Sequence, residues 1–111
     1  MNFRVRYTRE ARDDLTRLYE FLLERDYDAA VRALDAIRKA ADLLRSFPFT
    51  CRKADDANPL LRELVVSFGG SGYVALFEIE GGPPASDDPT ADANRYVTIL
   101  AVRHQREDDY Y

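Results

Sequence analysis

The sequence predicts an α+β fold, a helical hairpin packed on an antiparallel sheet in the order β-α-α-β-β-β. Three observations predict it. Between Arg9 and Leu44 the apolar residues recur at spacings of three and four, as in helices with one buried stripe. From Arg62 onward they recur at every second position, as in strands with one buried face. Between two such strands stands GGSG, Gly69 to Gly72, the glycine-rich chemistry of a β-hairpin turn.

Each element follows in order. Asn2 to Tyr7 sets Phe3, Val5 and Tyr7 against Arg4 and Arg6, a half-buried opening strand. Thr8 is placed to cap a helix over about Arg9 to Arg25, with the stripe Ala11, Leu15, Leu18 and Leu22 widened by Tyr19 and Leu23. Asp13 and Arg17 are expected to pair across one turn on its outer face. After a short break at Asp26–Tyr27, Asp28 is expected to cap a second helix with the inward stripe Ala30, Ala33, Leu34, Ile37, Ala41 and Leu44. Its alanines let the helices approach closely, and the short link makes them antiparallel. Phe47–Pro48 ends this helix, because the residue before proline is pushed out of the α region.

Phe49 to Leu60 has no periodicity and is expected to be irregular. In the next strand Leu64, Val66 and Phe68 share a face. Beyond GGSG, Tyr73, Ala75, Phe77 and Ile79 share one face while Val74 and Leu76 fill the other, the pattern of an inner strand. Gly81 to Arg95 holds three prolines and nothing apolar larger than alanine, which predicts a flexible acidic loop. The last strand, Tyr96 to about Arg103, is apolar on both faces and is again expected to be internal.

These 111 residues suffice for one domain, 1–111, and not for two. No apolar run approaches the roughly 18 residues of a membrane span, and MNFRVRYTRE lacks a signal sequence's apolar region, so a cytoplasmic location is expected. The single cysteine, Cys51, forms no intrachain disulfide, and with one histidine it makes a protein zinc site improbable; no metal or other cofactor is expected. Net charge is −4, which argues against nucleic-acid binding. The acidity is segmental, however. Setting aside the loop acids Asp87, Asp88 and Asp92 and the tail acids Glu107, Asp108 and Asp109 leaves 16 basic against 14 acidic side chains.

The C-terminal run YVTILAVRHQREDDYY carries the chemistry. An apolar strand opens directly into Arg103, His104 and Arg106, and the chain stops on Tyr110 and Tyr111. Cationic and phenolic groups at a strand end suit phosphate, nucleic acid or an acidic partner. Arg52, Lys53 and Arg62 add basic positions upstream. The ordinary structural readings stand beside this: His104 as a hydrogen-bonded surface histidine, Cys51 as an inert thiol, Arg103 and Arg106 paired with nearby acids, and the tyrosines as a frayed end. Strand residues apolar on both sides, Val74, Leu76, Leu100 and Val102, beside a single helical hairpin predict a surface on which a partner packs.

The order of elements resembles the RelE/ParE superfamily of type II toxin–antitoxin toxins. The pieces that carry the resemblance are FRVRYTREARDDL, LLRSFPF, LRELVV and VTILAVRHQRE. It implies a cognate antitoxin, here expected at Val74, Leu76, Leu100 and Val102. It also implies one of two activities. ParE-like members are not catalysts; they bind DNA gyrase, and Arg103, His104 and Arg106 would make that contact. RelE-like members cut mRNA on the ribosome without metal. Here Arg62 and Arg106 sit where that family's basic residues sit, with His104, Tyr110 or Tyr111 for proton transfer. The acids Glu107 to Asp109 would repel RNA phosphates, and the loop before the second strand is sparsely basic, so the gyrase poison is the expected function and the ribosome-dependent nuclease the alternative.

Overall fold

The computed structural model describes residues 3–68, 71–81 and 95–105. Strand β1, Arg4–Tyr7, leads into helix α1, Arg9–Leu23, and helix α2, Tyr27–Asp42. Two 3₁₀ turns, Leu43–Arg45 and Pro48–Thr50, precede strands β2, Arg52–Asp55, β3, Asn58–Phe68, β4, Ser71–Glu80, and β5, Tyr96–His104. The α+β class and the helical hairpin are as the periodicity predicts. The loop expected over Gly81–Arg95 lies outside the described residues apart from its two ends.

Local chemistry sets the helix limits. Thr8 is extended, and its Oγ1 accepts from the Ala11 N–H at 3.1 Å, capping α1 as expected. The second cap is Asp26 and not Asp28. Asp26 is extended and its Oδ1 accepts from the Ala29 N–H at 3.2 Å, which places Asp28 inside the first turn, where its charge suits the helix dipole. Arg17 turns to Asp14 at 3.9 Å and not to Asp13. Phe47 leaves the α region before Pro48, as the proline requires.

The sheet differs from the expected one in two ways. Its strand order is β1-β5-β4-β3-β2, and β1 runs parallel to β5, so the sheet is mixed while β2 to β5 form an antiparallel meander. Periodicity reports which residues face inward and is blind to which strand is the neighbour. The second difference is β2, in the stretch expected to be irregular, with β3 beginning at Asn58. Every residue of β2 is exposed, so this edge strand has no apolar alternation to read; it is held by backbone pairing of Arg52 with Glu63 and Lys53 with Arg62. Asp55 and Asn58 close the turn between β2 and β3, accepting from the N–H groups of Ala57 and Leu60.

Both helices pack on one side of the sheet. Phe77, Ile79, Val97, Ile99 and Val102 meet Ala11, Leu18, Ala33, Ile37, Ala41 and Leu44 in one core. Small residues at Ala30, Ala33 and Ala41 let α2 lie close, as the stripe predicts. Gly72 is needed where it stands: a Cβ there would fall 2.0 Å from the Val66 carbonyl oxygen. No helix among the described residues is long and apolar enough to cross a membrane.

One irregularity shapes the rest. Leu76 pairs with Ala101 but Phe77 with Ile99, so Leu100 is an extra residue, a β-bulge in β5. The bulge is held from the helix side. Thr8 donates its hydroxyl to the Leu100 carbonyl at 3.1 Å, and buried Asp14 accepts from the Val102 N–H at 2.9 Å.

Candidate functional site

The bulge decides which way Arg103 and His104 point. Val97 and Ile99 face the helices, and simple alternation would send Ala101 and Arg103 the same way. With Leu100 inserted, Val102 and His104 face the helices instead, opposite Ala75 and Tyr73, and Arg103 stands opposite Val74 on the side away from the helices, the open face. His104 meets the Tyr73 ring edge-on, with centroids 5.6 Å apart. Arg103 and His104, expected to act together, are neighbours on a strand and so stand on opposite sides of the sheet. Arg106, Tyr110 and Tyr111 lie outside the described residues.

On the open face Arg6, Arg52 and Arg103 are matched with carboxylates. Glu63 on β3 takes Arg52 Nε on Oε1 at 3.0 Å, and its Oε2 lies 4.0 Å from Arg103 Nη2. The side chains of Glu63 and Arg103 are each only 15% exposed. To reach Glu63 from β5, Arg103 must cross β4 on the face where Val74 and Leu76 stand, laying its apolar stem over that strand. Toward the other edge, Arg6 on β1 donates to Glu80 at 2.5 Å and to Thr98 Oγ1 at 2.9 Å. Thr98 in turn donates to the same Glu80 oxygen, and the Arg6 guanidinium lies 4.0 Å above the Tyr96 ring.

Arg62 has a different occupation. By strand alternation it lies on the helix side with Leu64 and Val66, where its Nη1 donates to the carbonyls of Phe49 and Cys51, at 3.1 and 2.8 Å, and its Nε to that of Pro59, at 2.6 Å. It staples the second 3₁₀ turn and the start of β2 to β3. Beside it Cys51 is half-buried; burial pushes its thiol up, and the Arg62 charge opposes that shift more weakly. Among the described residues no three His, Cys, Asp or Glu side chains gather as a metal-ligating group.

The residues expected to receive an antitoxin are divided. Val74 and Val102 are covered within the chain, Val102 in the core beneath the helices, so neither offers a surface. Leu76 and Leu100 are half-buried. Val65, opposite Val74, is exposed on the open face, and further exposed apolar side chains lie elsewhere. Phe21, Tyr27 and Val31 stand exposed near the tip of the helical hairpin, with Arg25 stacked 3.7 Å above the Phe21 ring, and Leu43 and Phe47 lie at the far end of α2. Their signal is in the sequence: all five are apolar residues off the inward stripes.

A family model described as the ParE toxin of the type II toxin–antitoxin system parDE matches residues 5–109. The chain belongs to that family. The toxin is 41% identical over 97 residues to Toxin RelE3 of Caulobacter vibrioides (strain ATCC 19089 / CIP 103742 / CB 15), covering 87% of this chain and 88% of the relative. It is 35% identical over 81 residues to Toxin RelE1 of the same organism, covering 73% and 84%. Among solved structures it is similar to a chain of the chromosomal ParDE TA system from P. aeruginosa, with a TM-score of 0.66 and 16% identity over 92% of this chain and 95% of that one. That last likeness is one of fold. The toxin is thus a type II toxin of the RelE/ParE superfamily, as the resemblance implies.

Proposed function

We propose that the toxin is of the ParE-like kind, a single domain that poisons DNA gyrase by binding it, cuts no nucleic acid itself and is silenced by a cognate antitoxin. One observation carries this reading: the placement of Arg62 and His104. Cutting RNA through its 2′-hydroxyl needs a base, an acid and charge-stabilising donors converging on one phosphate. Arg62 and His104 share the helix side but flank β4 from its two neighbouring strands, opposite Phe77 and Tyr73 respectively, about 13 Å apart along the strand, and Arg62 is committed to three carbonyls. A binding toxin needs no such convergence. For the antitoxin, Leu76 and Leu100 remain as contacts, joined by the exposed Phe21, Tyr27 and Val31 of the hairpin.

The alternative, a RelE-like ribosome-dependent nuclease using Arg62, His104, Arg106 and Tyr110 or Tyr111, is favoured by the names of the two Caulobacter relatives. A supercoiling assay with purified gyrase, run beside translation of a defined mRNA in vitro, separates the two. The expected result is loss of supercoiling with accumulation of cleaved DNA, and intact mRNA. Site-specific mRNA cleavage on ribosomes with gyrase unaffected would replace the first reading by the second.

A further inference from the structure

We infer that Glu63 is a specificity-determining residue, a carboxylate that keeps nucleic-acid phosphates off an arginine-bearing face. The inference deepens the reading of a toxin directed at a protein and rests on that reading for its biological meaning. Strand alternation puts Arg4, Arg6, Arg52 and Arg103 on the open face, and Glu63, Glu78 and Glu80 with them. Without the acids this would be a polycationic sheet, the kind of surface that binds phosphodiesters through counterion release. Glu63 is the acid placed between two arginines. One oxygen contacts Arg52 and the other faces Arg103, so the carboxylate stands where a phosphate would bridge the two guanidinium groups. At 15% exposure it is also less open to screening by salt than Glu80, which is 37% exposed.

A phosphate entering between Arg52 and Arg103 would have to displace Glu63 and leave a poorly solvated carboxylate beside a like charge. A partner that brings its own hydrogen-bond donors to Glu63 meets no such obstacle. The arrangement thus selects a protein surface over a nucleic-acid backbone at a face whose arginines would otherwise suit both.

The test measures nucleic-acid binding by the full-length chain. Fluorescence anisotropy would follow a fluorescein-labelled single-stranded RNA of about 20 nucleotides, and a DNA duplex of equal length, between 50 and 200 mM salt. Glu63→Gln is expected to bind both at least about tenfold more tightly than the unaltered chain at low salt, with a salt slope steeper by about one to two. Adding Arg103→Gln to that variant should return affinity most of the way. Should the glutamine variant fail to fold, Glu63→Thr, whose side chain suits a strand, carries the same expectation. A folded Glu63 variant that binds no more tightly, or a gain that survives removal of Arg103, overturns the inference. A negative supercoiling assay with the unaltered chain would sink the gyrase reading alone.

Discussion

On the helix side of the sheet Phe77, Ile79, Val97 and Ile99 are essentially closed to water, whereas the open side carries Arg6, Arg52 and Arg103 matched with Glu80 and Glu63. One sheet builds both sides, so backbone geometry is shared and only the side-chain chemistry differs. The helix side is held by area removed from water, which is cumulative and insensitive to direction. The open side is held by directed pairs whose partial exposure lets water and salt weaken them. Stability is therefore concentrated on one side, which leaves the other free to be specified for contact.

The comparison breaks most visibly at Phe77. Phe77→Ala should cost about 3–5 kcal/mol, read as a drop in the urea midpoint with little change in slope. A loss below about 1 kcal/mol would mean that the helices do not seal this side. Asp14→Ala comes next, at about 1–3 kcal/mol, because it leaves the Val102 N–H buried without its acceptor. Asp14→Asn keeps an acceptor oxygen and should cost less; equal losses would show that charge and not the hydrogen bond matters there.

On the open side, Arg6→Ala should cost no more than about 1 kcal/mol, since the Arg6 and Glu80 side chains are 51% and 37% exposed. High salt should shrink even that difference in thermal unfolding. The smallest effect at neutral pH comes from three helix-side groups. Burial raises the Tyr7 and Tyr73 phenols and the Cys51 thiol; the charge of Arg38 opposes the shift at Tyr7, and that of Asp42 adds to it. A group raised in the folded chain keeps its proton after the unfolded chain has lost it, so each contributes stability fully below its unfolded value and loses it above. Stability from these groups should be flat near neutrality and decline from about pH 9, the ordinary thiol value, upward through the ordinary phenol value of 10.0. A chain that becomes more stable above pH 9 would contradict the burial of all three.

What was legible in the sequence tracks the same division. The helix stripes and the β3–β4 hairpin were readable because each pairs a burial pattern with a period. The β2 strand was not, because an edge strand exposed throughout is specified by backbone pairing and leaves no apolar pattern. Asp14 and Arg62 did leave a signal. Asp14 lies on the stripe of Ala11 and Leu18, and Arg62 shares parity with Leu64 and Val66, so each is a charged residue on an apolar face, the mark of a group with a buried partner. Alternation separates neighbours such as Arg103 and His104, but which side each takes was hidden, because Leu100, Ala101 and Val102 are all apolar and the extra residue disturbs no alternation that can be seen.

That concealed residue makes the side of the sheet on which Arg103 stands a matter of counting. Every position after Leu100 takes its side from the number of residues before it, so losing one codon there would exchange the addresses of Arg103 and His104 while altering neither. The arginine would face the hairpin and the imidazole the open sheet, and the guanidinium facing the second oxygen of Glu63 would be gone. Among relatives of this toxin, the length of the last strand therefore carries as much information about the open face as the identity of the residues at its end.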